Sequence, residues 1–390
     1  ELIMKIGVIG AGRLGICFAL LCEAAGYDVL VSDIRQDYID NLNQRKIETT
    51  EPEVDNLLKV AKNFEATSDN RKVIRECDLI YTLVATPSLD DGSYDVSAVW
   101  KVIGDVKEEM KIANYPKNFV VGCTTNPGDC DLFRKELPDS VNVFYNPEFI
   151  AQGSIINDLR TADMVLLGCD GNGNYDDVVN SIRKLYETIQ TTRAIVCTMT
   201  NKSAEITKIA INCFLTTKIS YANMLGDVLR KAGCGDEINT VLNSIGIDKR
   251  IGREYLKYGF GYGGPCFPRD NRAFGAFAKD VGLEYNLGHV TDSINNQHAV
   301  LLCDFFDDIN KERPFYFDSI TYKPGTDILT ESQQYRLCKD LLDRGRKVYI
   351  RNDNRVTHQV YDELISNYGD SVKFVDGKKY ITEPIFIVAL

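Results

Sequence analysis

The sequence predicts an α/β fold in which two doubly wound domains are joined by a long central helix. Over the first 200 residues, apolar strand-like segments alternate with helical ones. A continuous helical pattern follows from about residue 201, and the alternation of strand and helix resumes near residue 314. This alternation is typical of parallel sheets that are covered by helices on both faces.

Bulk composition excludes several classes of partner. The 390 residues carry a formal net charge of −11, which argues against nucleic acid and against an anionic membrane surface. No apolar run reaches the ~18 residues that span a bilayer, and no signal-peptide pattern precedes Met4. The twelve cysteines are scattered singly without a CxxC pair, which predicts thiols in a reducing compartment. We therefore expect a cytoplasmic protein without a metal site.

The first element predicts a dinucleotide site. Strand-like residues 5–9 are followed by a GxGxxG turn and then by an apolar helix. An acidic residue, Asp33, ends the next strand about 20 residues further on, which is the pattern of a Rossmann-like domain. The glycines allow the pyrophosphate to approach the helix N-terminus, and the Asp33 carboxylate would bind the ribose and repel a 2′-phosphate. The pattern predicts NAD as cofactor, and the alternative is an ordinary glycine turn without a ligand. The residues of the predicted NAD site are Gly10, Gly12, Arg13, Leu14, Gly15 and Asp33.

Polar side chains follow the next strands. Apparent strands at 77–87, 118–125 and 141–149 end in polar or proline-containing segments, and further strands are predicted at 164–169 and 194–199. Ligands of doubly wound sheets bind at the carboxyl ends of the strands. This rule places Thr86, Thr125 and Glu148 near the cofactor crevice.

A helical pattern of about 30 residues begins at Asn201 and would extend about 45 Å. We expect this helix to join the domains and to pack in a subunit interface. Lys208 and Asn212 lie four residues apart on it and so share a face. Together they could stabilise an oxyanion, or they could simply form a solvated helix face.

The segment GYGGPCFPRD at 261–270 places Cys266 among glycines, prolines and charged residues. A helix is predicted from Pro268, and helix N-termini and nearby cations lower the pKa of a thiol. Cys266 is therefore either an activated nucleophile or a loop cysteine beside a glycine turn. An NAD fold combined with a nucleophilic thiol could oxidise an alcohol through an aldehyde and a thioester to an acid, a four-electron oxidation.

Several ordered motifs extend over nearly the whole chain and resemble those of the nucleotide-sugar dehydrogenases, the UDP-glucose/GDP-mannose dehydrogenase family. They are GVIGAGRLG (7–15), ATP (85–87), TTNP (124–127), NPEFIAQG (146–153), AEITKIAINCFLTTKIS (204–220), RIG (250–252), GYGGPCFPRD (261–270) and YKPGTD (322–327).

The resemblance implies a role for each matching residue. Cys266 would form the thioester, Lys208 and Asn212 would stabilise the oxyanion, and Asp270 would assist acid–base steps through water. The resemblance also places Thr125 and Glu148 in the active site. It further implies contacts to the sugar nucleotide from Arg250, which would reach across a dimer interface. The other implied contacts are Phe149, Lys208, Asn212, Lys257, Gly263 and Lys323.

The resemblance implies oxidation of UDP-glucose to UDP-glucuronate, because CFPRD is similar to the UDP-glucose branch of the family. UDP-N-acetylhexosamine and GDP-mannose are alternative substrates, and a non-catalytic sugar-nucleotide sensor is an alternative of another class. The chain departs from the common pattern at Gln152, where many relatives have a second glutamate, at Cys123 in place of a lysine, and at Thr330 in place of an arginine.

The predicted organisation has three parts and a homodimer formed through the long helix. Residues 1–200 would bind NAD, residues 201–300 would form the central dimerisation region with the cysteine loop, and residues 301–390 would form the sugar-nucleotide domain.

Overall fold

The computed structural model describes residues 4–113, 115–169 and 175–390. The chain divides into two compact units, of which the first ends at Lys208 and the second begins at Ile209. The mixed α/β architecture with two Rossmann-like sheets confirms the predicted fold class. The division of the sequence at residues 200 and 300 stays a prediction.

The first unit contains an eight-stranded sheet. Its strands are β1 (Lys5–Ile9), β2 (Asp28–Ser32), β3 (Phe64–Thr67), β4 (Leu79–Thr82), β5 (Lys117–Val121), β6 (Val141–Tyr145), β7 (Met164–Cys169) and β8 (Ile195–Met199). They are arranged in the order β3-β2-β1-β4-β5-β6-β7-β8, and the pair β6–β7 is antiparallel while the other neighbours are parallel. The reversal of strand order beside β1 creates the crevice in which such sheets bind ligands.

Helices cover both faces of this sheet. They are α1 (Arg13–Ala24), α2 (Gln36–Asn43), α3 (Val54–Val60), α4 (Asn70–Glu76), α5 (Ser97–Met110), α6 (Asp129–Glu136), α7 (Ile155–Arg160) and α8 (Asp176–Ile189). Alternate residues of β4 enter different cores: Leu79 and Tyr81 pack with α1, whereas Ile80 packs with α4 and α5. Burial on both faces explains why the central strands are almost continuously apolar.

Helix α9 (Asn201–Lys231) runs for 31 residues and continues from the first unit into the second, as the helical pattern predicts. The second unit also contains α10 (Ile238–Ile247), α11 (Phe267–Asp280), α12 (Leu287–Ile309), α13 (Gln333–Asp343) and α14 (His358–Tyr368). Its strands are β9 (Phe315–Phe317), β10 (Val348–Arg351), β11 (Val372–Val375) and β12 (Phe386–Ile387), which form a parallel sheet in the order β11-β10-β9-β12.

Some local features differ from the sequence-based expectations, and helix α10 is one of the elements that the sequence analysis did not predict. Strand β3 and the 23-residue helix α12 were not predicted, because β3 has only four residues and α12 interrupts its apolar positions with Asn, Asp and His. Helix α11 begins at Phe267, one residue before the proline. Within the described parts of the chain, no helix is both long enough and apolar enough to cross a membrane.

Candidate active site

The glycine-rich turn lies at the carboxyl end of β1, where the sequence predicts it. Gly10 has a φ of +99°, and a Cβ atom there would lie 2.8 Å from the backbone carbonyl of Leu83, so only glycine fits without displacing the chain. Gly12 is the N-cap of α1, and the helix begins at Arg13. The turn therefore presents the first amides of α1 at the edge of the sheet where a pyrophosphate would bind.

Asp33 follows the last residue of β2 and is held by an arginine that the sequence analysis did not select. Arg35 donates from Nε to Oδ1 at 2.8 Å and from Nη2 to Oδ2 at 3.0 Å. Partial burial opposes ionisation of Asp33, but the hydrogen bonds and charge of Arg35 outweigh it and lower the pKa of this carboxyl. Asp33 is thus a fixed negative charge at the end of β2.

Thr86 and Thr125 are both buried beside the ends of β4 and β5. The Thr86 hydroxyl donates to the carbonyl of Thr124 at 2.7 Å. The Thr125 hydroxyl donates to Oε1 of Glu205 on α9 at 2.8 Å. A backbone carbonyl therefore positions Thr86, and the Glu205 carboxylate, which the sequence analysis did not select, positions Thr125.

Glu205 is fully buried and also accepts hydrogen bonds from the amides of Gly128, at 2.6 Å, and Cys130, at 3.0 Å. Burial raises its pKa to about 7, although these donors favour the ionised form. Glu205 thereby ties the start of α6 and the loop after β5 to the helix that carries Lys208.

Glu148, Phe149 and Lys208 lie together beyond the end of β6. Lys208 donates from Nζ to the backbone carbonyl of Glu148 at 2.8 Å, and the same ammonium lies 4.5 Å from the centre of the Phe149 ring. The Glu148 carboxyl is hydrogen-bonded to the phenol of Tyr186 on α8. Desolvation raises the pKa of Glu148 to about 7, against the opposing effects of Tyr186 and Lys208. A carboxyl that titrates near neutrality beside an ammonium can exchange protons during a reaction.

In the second unit, Cys266 is the N-cap residue of α11, and Pro268 lies in the first turn of that helix. The Cys266 carbonyl accepts the amide of Asp270 at 2.9 Å. Asp270 is 1% exposed and accepts a hydrogen bond from Nδ2 of Asn212 at 2.6 Å. Thus α9 contributes an amide and α11 contributes a thiol and a carboxylate to this part of the site.

Lys208 and Asn212 are one turn apart on α9, and they are only 7% and 8% exposed. The alternative of a solvated helix face therefore does not describe them. Their polar atoms are held by specific partners, which are the Glu148 carbonyl for Lys208 and the Asp270 carboxylate for Asn212.

The loop before Cys266 is packed tightly. Gly264 has a φ of +81°, and a Cβ atom there would lie 2.4 Å from the ring of Tyr322. The Gly264 amide donates to the carbonyl of Thr330 at 3.0 Å. Thr330, which replaces a common arginine, therefore contributes a backbone contact to the cysteine loop.

A cavity of about 410 Å³ in the second unit brings together three of the predicted sugar-nucleotide contacts, Lys257, Gly263 and Lys323. Aromatic side chains complete much of its lining: Tyr255, Tyr258, Phe260, Tyr262, Phe267 and Tyr322. Two cations among aromatic rings suit a diphosphate attached to a planar base.

Arg250 does not line this cavity. Its side chain is 89% exposed and forms a two-point contact with Asp248, with N–O distances of 3.0 and 2.7 Å. The hydrogen bonds that the Arg250 guanidinium donates to the Asp248 carboxylate raise the pKa of Arg250.

The remaining departures from the family pattern occupy defined environments. Gln152 is partly buried in the loop after β6, and Cys123 is buried after β5. All twelve cysteines lie in the described parts of the chain and remain thiols. Across residues 4–113, 115–169 and 175–390, no group of three His, Cys, Asp or Glu side chains forms a metal-binding cluster.

Comparison with known proteins assigns most of the chain to two domains of one family. Residues 4–190 match the NAD binding domain of the UDP-glucose/GDP-mannose dehydrogenase family, and residues 202–297 match the central domain of the same family.

Individual relatives span almost the whole chain. A UDP-glucose 6-dehydrogenase of Haloferax volcanii, AglM, is 29% identical over 359 residues, which are 88% of this chain and 82% of that protein. The solved structure of a UDP-glucose dehydrogenase from Pyrobaculum islandicum has a TM-score of 0.85 at 25% identity and covers 99% of this chain and 89% of that one. A UDP-D-ManNAc dehydrogenase structure from Pyrococcus horikoshii shares the fold, with a TM-score of 0.75 at 21% identity over 98% of this chain and 97% of that one.

Proposed function

Since the chain belongs to the UDP-glucose/GDP-mannose dehydrogenase family and carries its NAD-binding domain, we propose that it oxidises UDP-glucose to UDP-glucuronate. It is an NAD-dependent oxidoreductase, and the choice of sugar nucleotide is the proposed part. The relatives in Haloferax volcanii and Pyrobaculum islandicum, both named for UDP-glucose, support this choice.

The observation that carries the proposal is the cavity in the second unit. Lys257 and Lys323 supply positive charge to a protein with a net charge of −11. The cavity is also lined by Gly263 and Phe267, which lie on either side of Cys266 in the chain. A sugar nucleotide held by its diphosphate and base would therefore bind beside the segment that carries the thiol.

The residues of the first unit fit NAD. The close approach of Gly10 to the end of β4 and the N-terminus of α1, which begins at the exposed Arg13, suit the pyrophosphate, and Asp33 suits the ribose hydroxyls. NAD held by these residues would supply the hydride acceptor for two oxidations, alcohol to aldehyde and thiohemiacetal to thioester, so two NAD would be consumed per sugar acid.

Cys266 is the proposed nucleophile. Its thiolate adds to the aldehyde carbon, which forms a C–S bond and an alkoxide. Its position at the N-cap of α11 places it at the positive end of the helix dipole, which favours the thiolate. Water then breaks the C–S bond of the thioester, which releases the carboxylate and restores the thiol.

Lys208 and Asn212 are the proposed stabilisers of the alkoxide. Both are nearly buried on adjacent turns of α9, so their donors act away from bulk water, where a hydrogen bond to an anion is stronger. We propose Asp270 and Glu148 as the acid–base groups. Gln152 carries no ionisable group, which leaves base work in hydrolysis to Glu148, Asp270 or an activated water.

We also propose a homodimer that forms through α9. Phe214, Tyr221 and Val228 are exposed to 65%, 47% and 55%, and their seven-residue spacing places them on one side of the helix. An exposed apolar row of this kind is typical of a helix that packs against a second copy. Arg250, which is exposed, is the proposed contribution to the partner's sugar-nucleotide site.

The deciding experiment offers a panel of UDP-glucose, UDP-N-acetylglucosamine, UDP-N-acetylmannosamine and GDP-mannose with NAD. NADH absorbance and product mass are recorded for each. We expect UDP-glucose to be used best, with two NADH for each UDP-glucuronate. A preference for another sugar would keep the chemistry and correct the substrate, whereas binding without NADH formation would support the sensor.

A further inference from the structure

The Glu148 carboxyl belongs to a chain of hydrogen bonds that extends into the core of the first unit. The Tyr186 hydroxyl is bonded both to Glu148 and to Oδ1 of Asn146, the latter at 2.8 Å. The hydroxyl of Tyr81 donates to the same Asn146 oxygen at 3.1 Å. Tyr81, Asn146 and Tyr186 are each no more than 2% exposed, so water does not substitute for these bonds.

The orientation of the Asn146 amide is fixed by its other end. Nδ2 of Asn146 donates to the backbone carbonyl of Leu166 at 2.9 Å, and a carbonyl can only accept. Oδ1 of Asn146 therefore faces both tyrosines as an acceptor, and each phenol must supply the proton for its own contact with it.

Counting protons then separates two states of the chain. When Glu148 is a carboxylic acid, it donates to Tyr186, Tyr186 donates to Asn146, and every contact has one proton. When Glu148 is a carboxylate, Tyr186 turns its single proton to Glu148, and Asn146 keeps the hydrogen bond from Tyr81. A phenol can serve both states because it is both a donor and an acceptor.

We propose that Tyr186 is a positioning residue that allows Glu148 to alternate between acid and base during the reaction. This inference rests on the proposed function, in which Glu148 handles a proton in thioester hydrolysis. The Tyr186 hydroxyl accepts from the acid and donates to the carboxylate, so neither form of Glu148 is left without a partner. Because Gln152 cannot ionise, the proton transfer that a glutamate at position 152 could share depends on Glu148.

The other groups around Glu148 are consistent with this assignment. Burial raises the pKa values of Tyr81, Tyr186 and Cys22 on α1, so these neighbours stay protonated near neutrality. Lys208 on α9 faces the same carboxyl as a cation and favours its ionised form. Glu148, whose pKa is raised to about 7 chiefly by desolvation, is thus the member of this group that changes charge.

Tyr186→Phe removes the hydroxyl and keeps the ring. The ionised form of Glu148 loses more hydrogen-bond free energy than the carboxylic acid does, because a hydrogen bond to a charged group is stronger than one to a neutral group. The titration of Glu148 should therefore move upward by about one pH unit. Tyr81→Phe is the matched control: it deletes an equally buried phenol that contacts Asn146 but not Glu148, and its shift should be less than half as large.

The test is an infrared titration of the protein without substrate, in which the C=O stretch of Glu148 is assigned by its loss in Glu148→Gln. The proposal would be supported if the titration midpoint of Glu148 moves upward in Tyr186→Phe. The acid limb of the pH profile for UDP-glucuronate release should then move upward by the same amount. An unchanged Glu148 titration in Tyr186→Phe, or equal shifts in both phenylalanine variants, would overturn it. Because the infrared signal needs no turnover, failure of the protein to oxidise UDP-glucose would count against the proposed function alone.

Discussion

Asn212 donates a hydrogen bond from its side-chain nitrogen to the Asp270 carboxylate 2.6 Å away, and both side chains are more than nine-tenths buried. This bond links α9 to α11, whose N-cap residue is Cys266, so it fixes an acid–base candidate within about a turn of the thiol. Asp270→Asn keeps an oxygen that can accept from Asn212 but removes the charge. We expect kcat to fall by about 10²–10⁴, the usual contribution of an acid–base group, while thermal stability changes little.

The control for this prediction is Asp280→Asn, the same change at an exposed position of α11. Steady-state rates with UDP-glucose and NAD, together with thermal unfolding, give both quantities. Normal turnover in Asp270→Asn would leave the carboxylate a structural role only.

Replacing the thiol should separate the two halves of the oxidation. Cys266→Ala should bind UDP-glucose and NAD but should lose UDP-glucuronate formation by several powers of ten, at about 1.36 kcal/mol of activation free energy per tenfold. Cys234→Ala changes an exposed cysteine of the same unit and should retain activity. NADH and sugar acid are measured together by absorbance and mass, and near-normal acid from Cys266→Ala would refute the thioester route.

Cofactor choice should depend on the pair formed by Asp33 and Arg35. The protein should use NAD at least about ten-fold better than NADP, because a 2′-phosphate would meet the Asp33 charge. Asp33→Asn removes that charge and leaves the Arg35 guanidinium to attract phosphate, so kcat/KM for the two cofactors should approach parity. The control is Asp37→Asn, which changes an exposed residue in the first turn of α2. An unaltered NAD preference in Asp33→Asn would mean that residues other than Asp33 select NAD over NADP.

Assembly should depend on the exposed row of α9. Val228→Asp places a charge within this apolar row and should convert the dimer to monomer, as measured by sedimentation velocity. Tyr285→Asp is the control, because Tyr285 is 96% exposed and lies outside the row. The monomer and Arg250→Ala should both bind UDP-glucose more weakly and NAD unchanged; a monomeric wild-type protein with full activity would exclude the shared site.

Stability should vary with pH through Glu205. Its pKa rises from an ordinary 4.5 to about 7 on folding, so between these values the folded state holds a proton that the unfolded state has lost. The free energy of unfolding therefore decreases as pH rises through this window, and Glu205 contributes a loss of about 3 kcal/mol by pH 8 relative to pH 4.

Glu205→Gln removes this ionisation. The free energy of unfolding of the wild type minus that of Glu205→Gln should be larger at pH 5 than at pH 8 in urea titrations. Glu187→Gln, at an exposed position of α8, should give the same difference at both pH values. A pH-independent difference for Glu205 would show that its carboxyl does not change protonation between the two states.

Much of the architecture follows from local sequence. The β1 glycine turn, the central strands and α9 are each encoded by a contiguous pattern, because burial on two faces requires long apolar runs and the turn after β1 requires glycine. The cysteine loop is equally local: GYGGPCFPRD contains both the helix start and the residues around the thiol. These are features that a strand, a turn or a helix terminus imposes on its own residues.

The environment of Glu148 depends instead on tertiary structure. Tyr186 is 38 residues away in sequence and reads as an ordinary apolar position of an amphipathic helix. Likewise, Glu205 meets Thr125 from 80 residues away, and Arg35 is an unremarkable residue until its guanidinium turns back onto Asp33. Sequence alone predicted which carboxyls and which thiol are candidates for the reaction, because residue type determines chemistry. Packing decided their protonation and partners, because desolvation and hydrogen bonding depend on which distant side chains the sheet and its helices bring within about 3 Å.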